Sequence, residues 1–228
     1  MPVVSTQYFG RQEEPLVIID DFHPAPDALL EAAKARHFAP SQTFYPGVQA
    51  PAPASALREG EDVLLPILRD KFGLARALSF TECRFSMVTA GRETLALPQR
   101  LPHCDSTDPN QLALLHYLSD EETAGGPGFF RHRSTGLECV SRDAHPAYIE
   151  RLRAEVAAHP PAQDYVVDGT ELFELIGKVE AKWNRLVIYR SYRLHSGLIP
   201  KDAALSPVLG EGRLTVNTFV RGEPGKRI

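Results

Sequence analysis

Prolines divide this sequence into short segments, which limits the secondary structure that it can form. The chain has 19 prolines among 228 residues, a larger share than the roughly 5% that is average for proteins. Its longest apolar runs, such as "LVII" and "LALL", are far shorter than the roughly 20 residues that a membrane-spanning helix needs. Short strands separated by turn signals are typical of a β-sandwich or β-barrel. We therefore expect many short elements and no membrane partner.

Alternation of polar and apolar residues begins at about residue 79 and predicts a strand-rich second part. One predicted helix, 145–159, interrupts this series. The resulting fold class is mainly β with flanking helices, a β-barrel core supported by helices. The predicted strands are 79–89, 111–119, 127–134, 184–191, 192–197 and 213–222.

The first part of the chain contains one predicted strand and two predicted helices. Four consecutive apolar residues in "EPLVIIDDF" (14–22) indicate a strand that is buried on both faces. The helix in 24–38 starts near Pro26, and a second helix, about 56–72, can end at Gly73. The proline-rich stretch 45–55 is expected to be a loop.

We find no domain boundary in the sequence and expect a single domain, 1–228. Within it, an N-terminal strand and supporting helices (1–78) would buttress the core (79–222).

Composition argues against several classes of function. The net charge of −4 does not indicate a basic surface, so nucleic acid is not expected as a partner. The cysteines, Cys83, Cys104 and Cys139, are odd in number and form no Cys-x-x-Cys motif. They favour a reducing cytoplasm over a disulfide framework. The N-terminus lacks the basic start and apolar run of a signal peptide. A homodimer is compatible with the sequence, which does not determine the oligomeric state.

The stretch "LPHCDSTD" (101–108) contains two side chains that can bind a metal ion, His103 and Asp105. Residues that are two apart on an extended strand point to the same face, so these two can hold one ion together. His195, in "NRLVIYRSYRLHSG" (184–197), can reach the same ion if its strand faces theirs across a barrel. Two imidazoles and one carboxylate on one side of an ion form the facial triad of non-haem Fe(II) oxygenases.

The predicted last strand adds a polar row. In "RLTVNTF" (213–219), alternate residues share a face, so Arg213, Thr215 and Asn217 lie on one side of the strand. Arginine holds a carboxylate through two parallel hydrogen bonds, and the Thr215 hydroxyl can assist. This arrangement suits a metal site that binds a dicarboxylic keto acid at its far end.

The order of these segments resembles the Fe(II)/2-oxoglutarate-dependent oxygenases, most closely the small bacterial members of their prolyl-hydroxylase-like branch. The His-x-Asp pair is followed by a hairpin after Gly125 and Gly126, then "LVIYRSYRLHSG", then "RLT". In that family a strand, a tight turn and a second strand deliver the distal histidine through a similar pattern. The resemblance covers roughly residues 79–220.

The resemblance implies a double-stranded β-helix, a jelly-roll or cupin-like core. It also implies that His103, Asp105 and His195 are iron ligands and catalytic residues. Arg213, with Thr215 beside it, would bind the distal carboxylate of the co-substrate 2-oxoglutarate. Dioxygen would be the oxidant, and an amino acid side chain or a small metabolite the substrate. A carboxylate ligand at Asp105 favours hydroxylation, because related halogenases have a small residue there.

One departure from the family concerns the arginine. It usually follows the distal histidine by about ten residues, whereas 18 separate Arg213 from His195 here. The intervening loop is rich in proline and glycine and can bulge outward. Arg193, two residues before His195, is the rival anchor for the co-substrate.

Other candidate side chains receive structural interpretations. His116 lies on an apolar strand face and is expected to be a buried, hydrogen-bonded residue. Cys104 should point away from the metal, because it alternates with its neighbours. His132 is expected to form part of the pocket wall, and Tyr45 to lie in a surface loop. The loops 39–55 and 198–212 are the expected determinants of substrate choice.

Two alternatives fit the same residues. One is a non-catalytic or differently metallated jelly-roll protein that acts as a sensor or accessory protein. The other is a zinc hydrolase with the same ligands, which would have no need of Arg213.

Overall fold

The computed structural model describes residues 1–119 and 125–225. Four α-helices and eleven β-strands lie in this part of the chain. The helices are α1 (Pro26–Lys34), α2 (Ser55–Arg58), α3 (Glu61–Phe72) and α4 (His145–Ala158). The strands are β1 (Val3–Tyr8), β2 (Pro15–Asp20), β3 (Ala39–Pro40), β4 (Gly47–Pro51), β5 (Leu74–Val88), β6 (Gln111–Tyr117), β7 (Pro127–His132), β8 (Phe173–Lys178), β9 (Leu186–Arg190), β10 (His195–Gly197) and β11 (Leu214–Pro224).

The strands form two antiparallel sheets. The large sheet has the order β1-β2-β9-β6-β11-β5-β4-β3, and the small sheet has the order β10-β7-β8. Strands that are distant in sequence are neighbours in the large sheet, as in the pairs β2–β9 and β6–β11. The prediction of a mainly β fold with flanking helices is confirmed.

The helices α1, α2 and α3 cover the outer face of the large sheet. The four apolar residues of β2 are all buried, because alternate side chains face the helices and the small sheet. The positive φ of Gly73, +73°, ends α3 in the left-handed conformation that glycine adopts without strain. The apolar cluster beneath α3 contains Val17, Ile19, Phe22, Leu57, Leu64, Ile67, Leu68, Phe72, Leu74, Leu112, Leu114, Leu186, Ile188 and Val220.

A second apolar cluster fills the space between the two sheets, and α4 covers the back of the small sheet. Side chains of β7 alternate between these layers, since Phe129 joins the inner cluster and Phe130 packs beneath α4. The inner cluster contains Leu16, Ile18, Ala113, Tyr117, Phe129, Val179, Ala181, Val187 and Tyr189.

Two local predictions are wrong. The predicted helix 56–72 is broken at Gly60, where a β-carbon would lie 2.4 Å from the Phe22 ring. The predicted loop 45–55 contains β4, which pairs with β5. Pro51 is tolerated in that strand because the short β3 does not extend alongside it.

The segment 1–78 contributes β1 to β4 to the large sheet in addition to α1, α2 and α3. Of the predicted strand 192–197, only His195–Gly197 is extended. In the part of the chain that the structure describes, no helix has the length and apolar character that a membrane crossing requires.

We expect Leu68→Ala to lower the free energy of unfolding by about 2–5 kcal/mol, because it leaves a cavity under α3. Leu68 is fully buried, whereas Leu65 on the same helix is 39% exposed. Leu65→Ala should therefore change the free energy by about 0.5 kcal/mol or less. Urea denaturation of both variants measures the difference. Equal losses would contradict the packing of α3 described here.

Candidate metal centre

Backbone hydrogen bonds bring the three predicted metal ligands together. His103 and His195 face each other in an antiparallel bridge. The amide of His103 donates to the His195 carbonyl at 2.9 Å, and the amide of His195 donates to the His103 carbonyl at 2.8 Å. The amide of Asp105 donates to the Ser191 carbonyl at 2.9 Å. Both ends of the His-x-Asp pair are thus fixed to the segment that carries the third residue.

The three side chains converge on one point. Nε2 of His195 lies 3.3 Å from Asp105 Oδ2, and Nε2 of His103 lies 3.7 Å from Asp105 Oδ1. One donor atom from each residue lies within 4.8 Å of the other two. Metal–donor distances of about 2.0–2.2 Å separate the donors of one ion by roughly 3–4 Å, which is close to this spacing.

The candidate centre is open on the side of His103. The His103 side chain is 53% exposed, whereas the side chains of Asp105 and His195 are 22% and 8% exposed. Two imidazoles and one carboxylate that can reach one ion match the donor set of a facial triad.

The hydrogen bond made by the other ring nitrogen orients His195. Its Nδ1 lies 2.9 Å from the Arg193 carbonyl. A carbonyl only accepts, so Nδ1 carries a proton, and Nε2, on the side of Asp105, is the nitrogen that remains to bind a metal ion. Such a bond also fixes the orientation of the ring, as is usual for histidines that bind metals.

Asp105 and His195 interact strongly in the absence of a metal. Burial opposes both charges, but it is outweighed by the attraction between the two groups together with the His103 charge near Asp105 and the Arg193 carbonyl near His195. The pKa of Asp105 is therefore lowered, and the pKa of His195 is raised, from their ordinary values. A divalent cation at this point would replace the proton on His195.

Arg213 is a buried cation near this centre, and its partners are uncharged. Its Nε donates to the Gly125 carbonyl at 3.1 Å, and its Nη2 donates to the Tyr117 hydroxyl at 3.3 Å. Among residues 1–119 and 125–225, no carboxylate lies within ion-pair distance of its guanidinium. Because a buried charge without a counter-ion is costly, this position favours an anionic ligand.

Three hydroxyl groups accompany Arg213, and we call these four residues the arginine pocket. Thr215 is fully buried, and Tyr117 pairs with it across β6 and β11. The Tyr45 hydroxyl is buried beside Thr215 and Arg213, and it makes no hydrogen bond of good geometry within the described residues. Burial raises the pKa of Tyr45, and the charge of Arg213 opposes this rise. Tyr45 lies in a loop, as expected, but its hydroxyl is buried and does not lie at the surface.

Tyr189 lies between the arginine pocket and the metal ligands. Its ring meets the His195 ring edge-on, with centroids 4.9 Å apart. Burial raises its pKa well above the ordinary value, and Asp105 and Tyr117 raise it further, while Arg213 lowers it. The side chains of the two sites are therefore neighbours through Tyr189. Tyr117 was not predicted as a site residue, because its pairing with Thr215 depends on the register of the sheet, which no local pattern indicates.

Arg193, the rival anchor, is engaged elsewhere. Its Nη1 and Nη2 donate to the carbonyls of Glu14 and Phe9, at 3.1 and 3.3 Å. Its guanidinium also lies 4.7 Å from the centroid of the Phe129 ring. These contacts tie the N-terminal segment to the small sheet, so the geometry favours Arg213 as the anion-binding residue.

The remaining candidates lie away from the centre. Cys104 packs behind the small sheet, as alternation predicted, and burial raises its pKa to about 11. His116 is buried on the helix side, with Nε2 2.9 Å from Asn184 Oδ1. The placement of His132 in the pocket wall is wrong, because its Nε2 lies 2.8 Å from Glu155 Oε2 of α4. The outward alternation of β7 is the physical reason.

A family model described as "Family of unknown function (DUF6445)" matches residues 1–220. A search among curated protein sequences finds no match.

Several solved structures resemble this one. HygX from Streptomyces hygroscopicus, with nickel and 2-oxoglutarate bound, has a TM-score of 0.55 and 15% identity, over 91% of this chain and 82% of that chain. Its iron-bound structure has a TM-score of 0.49 and 13% identity over the same shares. An N-substituted L-amino acid dioxygenase from Burkholderia ambifaria AMMD, in complex with alpha-KG, has a TM-score of 0.37 and 12% identity, over 96% and 94%.

We assign the fold from the first of these matches. The chain has the fold of 2-oxoglutarate-dependent oxygenases, with a double-stranded β-helix core. The family resemblance seen in the sequence is confirmed at this level.

We expect the free energy of unfolding to decrease as the pH falls from about 6.5 towards about 4, partly because of His116. Burial lowers its pKa to about 4, so over this range the unfolded chain takes up a proton that the folded chain does not. Urea denaturation at several pH values should show a weaker dependence for His116→Gln. The same change at the exposed His159 should leave the dependence as in the wild type. Equal slopes for all three proteins would contradict this.

Proposed function

We propose that this chain, which belongs to the DUF6445 family, is an Fe(II)- and 2-oxoglutarate-dependent dioxygenase that hydroxylates an amino acid side chain or a small metabolite. The observation that carries the proposal is the joint presence of two sites. One is a group of two histidines and one aspartate that converge within 4.8 Å. The other is a buried arginine, Arg213, that lacks a carboxylate partner among the described residues.

The residues present suit the two groups that the proposal requires. His103, Asp105 and His195 would hold Fe(II), because their nitrogen and oxygen donors are the type that this ion binds in non-haem oxygenases. Arg213 would bind the distal carboxylate of 2-oxoglutarate through charge-assisted hydrogen bonds. Thr215, Tyr117 and Tyr45 would complete that pocket. A zinc hydrolase would use the ligands without any need of this arginine pocket.

The bound iron, with 2-oxoglutarate and dioxygen, would supply the oxidising chemistry. One oxygen atom of dioxygen would enter the substrate C–H bond and the other would enter succinate, with release of carbon dioxide. The protein would place the C–H bond and keep water from the arginine pocket. Asp105 would occupy a ligand position that a halide would otherwise need, which favours hydroxylation.

We also propose that the protein works in a reducing compartment such as the cytoplasm. Cys83, Cys104 and Cys139 are all free thiols, and reducing compartments maintain thiols in this state.

An anaerobic spectral titration tests the main proposal. We expect Fe(II) and 2-oxoglutarate together, and neither alone, to give the wild-type protein a weak visible charge-transfer band. His195→Ala should abolish the band, because it removes a ligand. Arg213→Ala should raise the 2-oxoglutarate concentration for half-saturation by about 10-fold to 100-fold, which is the value of one or more hydrogen bonds to a charged group.

The control for this titration is Arg69→Gln, since Arg69 is exposed on α3 and, in the described part of the chain, forms its ion pair with Asp70. It should behave as the wild type does. If iron binds but 2-oxoglutarate produces no band, the alternative of a sensor, an accessory protein or a differently metallated protein takes precedence.

The Tyr45 hydroxyl should contribute to binding of the same carboxylate. We expect Tyr45→Phe to raise the half-saturating 2-oxoglutarate concentration by about 2-fold to 10-fold, with iron affinity unchanged. Tyr8→Phe is the matched control, because Tyr8 is 57% exposed on β1. An unchanged 2-oxoglutarate requirement in Tyr45→Phe would exclude this hydroxyl from the pocket.

A further inference from the structure

The small sheet covers only part of the inner face of the large sheet. Its apolar side chains pack against β2, β6 and β9, where the inner cluster lies. On β5, by contrast, Thr81 and Arg84 are exposed. The inner face of the large sheet is therefore open along β5.

The pairing of the strands places two polar side chains in this open region. Asn217 of β11 pairs with Arg84 of β5 on one side and with Leu115 of β6 on the other. Directly paired residues project from the same face of a sheet. Thr215 lies two residues before Asn217 on β11, and residues two apart on a strand project from the same face. Asn217 and Arg84 therefore share the face of the arginine pocket.

Two residues after Asn217 on β11, a set of paired side chains extends across the sheet as far as a metal ligand. Phe219 pairs with Ala113, and Ala113 pairs with Tyr189, which contacts the His195 ring. Neighbouring strands lie about 4.8 Å apart, so β11 and β5 lie about 10 and about 14 Å from β9. A molecule of about ten heavy atoms can therefore contact Asn217 and Arg84 while it reaches the metal ligands.

Both polar groups lack partners in the described part of the chain. Arg84 has no carboxylate within ion-pair distance among residues 1–119 and 125–225. Asn217 Oδ1 is buried and accepts no hydrogen bond from these residues. A free guanidinium is the best side chain for a carboxylate, and a buried amide group is costly until it is hydrogen-bonded.

The surroundings of this pair are apolar. Leu115 and Phe219 are partly buried against the inner cluster, and they would contact the carbon skeleton of a ligand. A cation, an amide and apolar walls together match a small organic acid that has a hydrogen-bonding N–H or O–H group near its carboxylate.

We infer that Arg84 and Asn217 bind the substrate, and that the substrate is a small molecule with a free carboxylate, such as an amino acid or a hydroxy acid. Arg84 pairs with the carboxylate, and the Asn217 amide binds the adjacent N–H or O–H group. The C–H bond to be oxidised then lies on the side of the metal ligands. This inference rests on the proposed function and narrows it to free small acids.

The experiment uses the anaerobic complex of the protein with Fe(II) and 2-oxoglutarate. The probes are the common L-amino acids and the matching L-2-hydroxy acids, each beside its carboxamide. The readout is the change in the charge-transfer band on titration, with 2-oxoglutarate consumption in air as a second readout. We expect at least one acid to perturb the band at concentrations where its carboxamide does not.

The variants assign the effect to the residues. Arg84→Gln should raise the half-saturating concentration of that acid by about 10-fold or more, with 2-oxoglutarate binding unchanged. Arg84→Lys, which keeps the charge, should restore part of the affinity. Arg76→Gln is the matched control, since Arg76 lies on the same strand and contacts Pro224 and Glu223; it should not change the titration.

The outcomes separate this inference from the proposed function. Absence of the band before any acid is added refutes the proposed function itself. With the band present, the inference is overturned if no acid perturbs the band, or if the carboxamides perturb it as well as the acids do. It is also overturned if Arg84→Gln weakens the binding of 2-oxoglutarate and leaves the binding of the acid unchanged.

Discussion

The candidate site depends on the backbone bridge between His103 and His195. Two hydrogen bonds, at 2.8 and 2.9 Å, join the segment before β6 to the first residue of β10. Because β6 belongs to the large sheet and β10 to the small one, this bridge also connects the two sheets. The side chains that converge on the metal position are thus placed by backbone bonds, and their geometry does not depend on long, flexible side chains.

The two buried arginines show how partners determine a role. Arg193 and Arg213 are both almost fully buried. Carbonyls of the N-terminal segment accept from Arg193, which stabilises the join between that segment and the small sheet. Arg213 instead has hydroxyl groups around it. Tyr189, which lies between Arg213 and the metal ligands, contacts the His195 ring. A cation in such a place suits an incoming anion, since the pocket already supplies hydrogen-bond partners for it.

Local sequence patterns predicted much of the fold. The elements that they did not predict depend on contacts between distant parts of the chain. The apolar run in β2 and the glycine that ends α3 were recognised, because each is a property of adjacent residues. The strands β1 and β8 were not predicted. Most of β1 is exposed and most of β8 is only partly buried, so neither carries a clear apolar alternation. The break at Gly60 depends on the Phe22 ring, which is distant in sequence.

By itself the sequence supplied the residues of the candidate site: a His-x-Asp pair, a distal histidine and a strand with Arg213 and Thr215 on one face. These follow from residue type and alternation, which are local. The tertiary structure decided which arginine faces the pocket, and it brought Tyr45 and Tyr117 to Arg213. It also placed Arg84 beside Asn217. These contacts join strands and loops that are far apart in the chain. They are determined by the register of the sheets, which no local pattern encodes.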